Sequence, residues 1–163
     1  MKHLKSYKLF ENIDDTIKYF QDILLELSDE NFNIRVKENE HHVYRESIAI
    51  IISKDGGDFE FWTERNIGEL TPFKFIQIKD DLLRLIEYAY SEGWYSFNFE
   101  IITTSNSLGN LLLSPFNDGT YRASVEIEGD EVVVPTTSIF STEKKEPISD
   151  DEKILCVYIG LGK

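Results

Sequence analysis

The sequence predicts an α+β domain in which two helices pack on one face of a mostly antiparallel sheet, with a hairpin-bearing insertion between residues 103 and 147. Three observations carry this. Residues 73–94, FKFIQIKDDLLRLIEYAYSEGW, form the longest amphipathic stretch, and Phe75, Ile78, Leu82, Leu85, Ile86 and Ala89 share one stripe at helical pitch. Residues 48–52 read IAIII, too apolar for a strand with one wet face and therefore central in a sheet. Short alternating runs are joined by Asp-Gly, Gly-Gly and Gly-Asp signals, which supply the backbone conformations that tight hairpins need.

Taken in order, residues 1–11 read as a basic leader and residues 12–163 as a single domain. The first helix spans residues 13–27, where Ile13, Ile17, Phe20, Leu24 and Leu27 form a narrow apolar face, with Asn12 or Asp14 as N-cap. Phe32, Ile34 and Val36 then alternate with polar residues as a half-buried strand, and residues 38–42 read as a charged loop. Residues 43–53 form the central strand, residues 54–57 a turn, and Phe59, Phe61 and Thr63 the returning strand, with Trp62 on its other face. The second helix covers about residues 75–92. Ile76, Leu83 and Tyr90 widen its apolar stripe, Asp80 and Asp81 favour its N-terminal half, and Gly93 stops it. Tyr95, Phe97, Phe99 and Ile101 follow as one aromatic strand face for the helix to cover. Beyond it, residues 121–128 alternate, Gly129-Asp130 turns, residues 132–134 form the partner strand, Pro135 ends it, and residues 136–151 read as exposed loop. Ser149 with Glu152 has the spacing of a capping box, and residues 154–161 close as a strand.

Composition bounds the function. A chain of 163 residues buries roughly 68–70% of its unfolded surface without staples. The formal net charge is −13, and since the opening contributes Lys2, Lys5 and Lys8, everything from Glu11 onward sums to −16. An acidic body of this kind argues against direct nucleic-acid binding, which needs a basic surface. It suits a protein partner of opposite charge. No apolar run approaches the roughly 20 residues of a membrane span, so the expected location is the cytoplasm of the producing cell. Cys156, the single cysteine, lies in an apolar run and reads as a packing residue.

No catalytic or cofactor motif is expected. The chain has no Gly-rich phosphate loop, no G-x-S-x-G elbow and no H-E-x-x-H pair. His41 and His42, near Glu38, Glu40 and Glu46, are the best ligand-like cluster, but adjacent histidines in extended chain point apart, and the cluster reads as a solvated loop rather than a metal site. Trp62, Tyr88 and Trp94 are the candidate exposed aromatics of an interface, Tyr88 because it falls on the polar side of its helix.

The opening MKHLKSYKLFE resembles the N-terminal leaders of proteins encoded by tailed bacteriophages, and the LLELSDENFNIRV and FKFIQIKDDLLRLIEYAY segments look like uncharacterised phage proteins of similar size. The resemblance implies a capsid-targeting role, with cleavage by a prohead protease after a Leu-x-Glu or Ile-x-Glu triplet; Leu9-Phe10-Glu11 matches that triplet. Further copies occur at residues 24–26, 67–69 and 85–87, and a terminal copy is the accessible one. The resulting expectation is a non-enzymatic phage accessory protein, associated with the virion through its leader. The alternative is a small acidic inhibitor or immunity-type binding protein for a basic partner.

Overall fold

A computed structural model describes residues 12–39, 46–55, 70–104, 114–115, 121–136 and 144–163. Ten strands and three helices lie in those residues: α1 (Ile13–Ile23), α2 (Leu25–Asp29), β1 (Asn33–Glu38), β2 (Ser47–Ser53), β3 (Phe73–Lys74), α3 (Ile76–Ser91), β4 (Tyr95–Thr103), β5 (Ser114–Pro115), β6 (Tyr121–Ser124), β7 (Glu126–Glu128), β8 (Glu131–Thr136), β9 (Lys144–Pro147) and β10 (Lys153–Gly162). The main sheet has the order β1-β2-β10-β4-β6-β5, with β3 also pairing with β10, and every pairing is antiparallel. The α+β class is therefore realised. β10 sits at its centre.

The first helix begins where expected, with Asn12 Oδ1 accepting a hydrogen bond from the Asp15 N–H at 2.9 Å. It is interrupted at Leu24, so α1 and α2 replace a single element, yet Phe20, Leu24 and Leu27 remain fully buried in one stripe across the break. Both helical segments that lead into the sheet end the same way. The Phe32 and Asn31 N–H groups bond to Leu27 O and Ser28 O, with Asn31 at φ 65°. The Trp94 and Gly93 N–H groups bond to Ala89 O and Tyr90 O, with Gly93 at φ 83°. This is the Schellman arrangement, which satisfies the last carbonyls and returns the next side chain to the apolar side of its helix.

The helices cover one sheet face. Ile48, Ile50 and Ile52 of β2, Phe99 and Ile101 of β4, and Val157, Ile159 and Leu161 of β10 meet Phe20, Leu24, Phe75, Ile78, Leu82, Leu85, Ile86 and Ala89 in one core. On the opposite face Ala49, Ile51, Ile102, Cys156 and Tyr158 form a second cluster, joined by Leu70. All seven β2 residues are buried, which explains why its sequence does not alternate.

Two bulges set the faces. Ile154 opposes Thr103 while Cys156 opposes Ile102, so Leu155 is an extra residue on β10 and shifts the helix-facing set from Ile154 to Val157. On β4 the extra residue is Phe97, because Gly160 opposes Asn98 and Leu161 opposes Ser96. Phe97 therefore departs from the expected aromatic face: its ring lies over Gly160, with Cε2 only 2.5 Å from where a Cβ would be. Tyr95 departs too, and is exposed.

The region expected as a hairpin-bearing insertion carries its hairpin as β7–β8 and is packed into the fold. β6 extends the main sheet beside β4, Val125 still donates to Phe99 O at 2.8 Å, and the chain then enters a second sheet of order β7-β8-β9. Val132 and Val134 of that sheet, and Ile148 just past β9, belong to the main core. Two expectations fail here. Residues 136–151 contain β9, and β8 runs through Pro135 to Thr136. Proline is tolerated because β7 pairs only as far as Val133, which leaves β8 with β9 as its one neighbour at Pro135 among the described residues. Residues 149–152 form a single turn, in which Ser149 Oγ accepts from the Asp151 N–H at 3.4 Å. Glu152 N–H bonds to Ser149 O, while Asp150 O and Glu152 O receive the Ile76 and Phe75 N–H groups at the start of α3.

Candidate functional site

Of the residues expected to mark a site, Leu9, Phe10, Glu11, Glu40, His41, His42 and Trp62 lie outside the described residues. Among the described residues no group of three or more His, Cys, Asp or Glu side chains is arranged to hold a metal. Tyr88 and Trp94 are not exposed interface aromatics. Trp94 is 4% exposed because the helix-ending motif turns it inward, where it meets Phe20 edge-on at 6.3 Å between ring centroids. Tyr88 is half-buried between the helices, 4.2 Å from the Tyr19 ring and edge-on to Phe20. Burial, aided by Glu92 and Tyr19, pushes its phenol up to about 12.

The residues that widen the α3 stripe are where the surface opens. Ile76 and Tyr90 are 46% and 50% exposed, and Leu83 is partly buried between them. Leu83, Ile86, Glu87 and Tyr90 form one wall of a groove of about 270 Å³, and Ile127, Gly129 and Asp130 of the β7–β8 hairpin form the other. Sequence alone places these parts on separate elements. A signal was present in the seven-residue spacing of Leu83 and Tyr90, which puts them on one flank of a helix, but a flank does not reveal whether something covers it.

The hairpin geometry follows from its turn. Glu128 opposes Glu131 across a two-residue connection in which Gly129 has φ 61°, the first position of a tight turn that excludes most side chains. The tip thus carries Glu126, Glu128, Asp130 and Glu131 within six residues. Glu126 is held by Lys145 of β9 at 3.0 Å. Glu87 and Asp130 face the groove from opposite walls, and none of the described residues lining it is basic. Burial raises the Tyr90 phenol above its ordinary value, with the Glu126 charge adding and a backbone hydrogen bond from Ser96 opposing, so the ring stays neutral at physiological pH. The site joins apolar side chains from both walls with one carboxylate on each.

A second polar cluster lies on the sheet face away from the helices. Glu100 of β4 stands between Tyr158 and Ser124 in register, and its Oε2 is 2.5 Å from Arg122 Nη2. The two side chains are 9% and 25% exposed. The contact is a charge pair: among the described residues Glu100 Oε2 has no hydrogen-bond partner. Burial, with Glu100 adding, pushes the Cys156 thiol up to about 12 and also raises Tyr158, which keeps both protonated and the thiol a poor nucleophile.

Among the described residues no helix is long and apolar enough to cross a membrane. The chain matches no protein-family profile, no curated protein and no solved structure.

Proposed function

We propose that this chain is a non-enzymatic binding protein that holds a basic protein partner, in the setting of a tailed-phage accessory protein. The observation that carries the binding reading is the groove between α3 and the β7–β8 hairpin, whose two walls both bring apolar side chains and one carboxylate each, Glu87 and Asp130. Such a surface attracts cationic side chains and repels phosphate backbones. The net charge of −13 extends that attraction beyond the groove and speeds encounter with a basic protein. The test is a pull-down with the full chain at low and high salt. The expected result is a basic protein retained at low salt and released at high salt; no salt-sensitive partner would count against the reading.

A second reading, carriage into the phage prohead through the opening residues, draws support from where the competing triplets lie. Leu24 belongs to the core at the junction of α1 and α2, and Leu85 and Ile86 of α3 are 0% and 1% exposed, so a protease acting on folded protein finds the leading apolar residue of each of those two triplets buried, inside a helical segment. Mass spectrometry of purified virions tests it. The expected product begins at Asn12. A virion free of the protein, or one holding it with residues 1–11 intact, removes the targeting idea.

A further inference from the structure

We infer that the groove between α3 and the Gly129-Asp130 turn docks a short segment of the basic partner in which one apolar or aromatic side chain is flanked by lysines or arginines. This rests on the binding reading above and names the chemistry of its ligand. The volume of about 270 Å³ is at the small end for a binding pocket, room for one or two anchoring side chains rather than a folded surface. Leu83, Ile86 and Ile127 give the anchor an apolar seat. Tyr90, half exposed at one end, offers a neutral ring face on which a guanidinium or ammonium group stacks. Glu87 on the helix and Asp130 on the turn put a carboxylate on each side of the anchor, which calls for cations before and after it in the ligand.

The hairpin tip supplies an independent reason. Glu128 and Glu131 are both exposed and directly opposed, with Asp130 in the turn between them. Like charges in that position weaken a hairpin. A cationic ligand relieves the repulsion, so the tip is better suited to the bound state than to the free one.

The experiment is fluorescence anisotropy with the full chain and synthetic peptides: one with a Phe anchor flanked by lysines, one with the same lysines and Gly at the anchor, and one with the Phe flanked by glutamates. A fourth peptide corresponds to residues 1–11. Tyr90→Ala and Asp130→Lys are the variants, both at exposed positions outside the core, with circular dichroism confirming that each is folded. The expected result is binding of the anchored basic peptide, weakened about tenfold by the Gly replacement and about tenfold by either variant. Equal binding of the first two peptides, unchanged in both variants, overturns the groove and leaves a general acidic attraction. Absence of peptide binding alongside a salt-sensitive partner in the pull-down also overturns it, with the binding reading intact. An empty pull-down at every salt concentration removes that reading, and the inference with it. Tightest binding by the peptide of residues 1–11, lost in both variants, makes the chain's own opening the occupant and overturns an external one.

Discussion

At the scale of single residues, the second sheet face shows how one charge pair and one missing side chain shape a core. Glu100 and Arg122 are largely removed from water, and each offsets the other's desolvation. Arg122→Ala strands the carboxylate beside Tyr158 and Cys156 and is expected to cost about 3 kcal/mol, whereas replacing both partners with apolar residues of similar volume costs little. Urea midpoints of the single and double variants check this; equal losses would mean that the stranded carboxylate carries no penalty of its own. Gly160 is the other constraint. A Cβ there meets Phe97 Cε2 at 2.5 Å and Cζ at 2.7 Å, so Gly160→Ala is expected to lose roughly 1–3 kcal/mol by overpacking. Trimming the ring with Phe97→Leu in the same chain recovers part of it. Tyr88 gives a pH signature. Its folded value of about 12 lies above the ordinary value of 10, so its contribution to stability is complete below pH 10 and is lost as the pH rises toward 12. In denaturation midpoints taken across that range, Tyr88→Phe is expected to flatten the fall.

At the scale of elements, two helix ends do the same work with different residues. Asn31 and Gly93 both hold a left-handed backbone, and both return an aromatic side chain, Phe32 and Trp94, to the core. Gly93→Ala is expected to cost about 1 kcal/mol, because a Cβ is disfavoured at φ 83° whatever room surrounds it. Asn31→Gly costs little or stabilises slightly. Amide exchange at Trp94 and Phe32, together with thermal midpoints, reads both changes. These ends also mark what was legible in the sequence. The buried stripe of α3, the N-cap at Asn12, the Gly93 stop and the doubly buried strand β2 all follow from local spacing and residue type, and each is present. Phe97, Pro135 and the residues of β9 are not legible locally because their environments are set by partners distant in the chain: a bulge opposite Gly160, the early end of β7, and the side of β8 that β7 leaves. The site was missed for the same reason. Ile127 and Tyr90 become one groove only when the second sheet folds against α3.

At the scale of the molecule, β10 ties the fold together. It pairs with β4 along one side and with β2 and β3 along the other, and every residue in it except Lys153 is buried. Removing residues 153–163 is therefore expected to abolish the cooperative fold rather than lower its stability by a fixed amount; a cooperative thermal transition in the truncated chain would contradict this. The placement also has a consequence in time. β2 and β4 each present an open edge until a strand made about a hundred residues after β2 arrives, and at roughly 5–20 residues per second that interval is on the order of ten seconds. During it the Ile-rich β2 is exposed on the side away from β1, as a strand edge with no charge of its own to deter pairing with another chain. Synthesis of this protein thus carries a window of vulnerability that the finished sheet conceals, and a chaperone that binds extended apolar segments would act there, before β10 closes the edge.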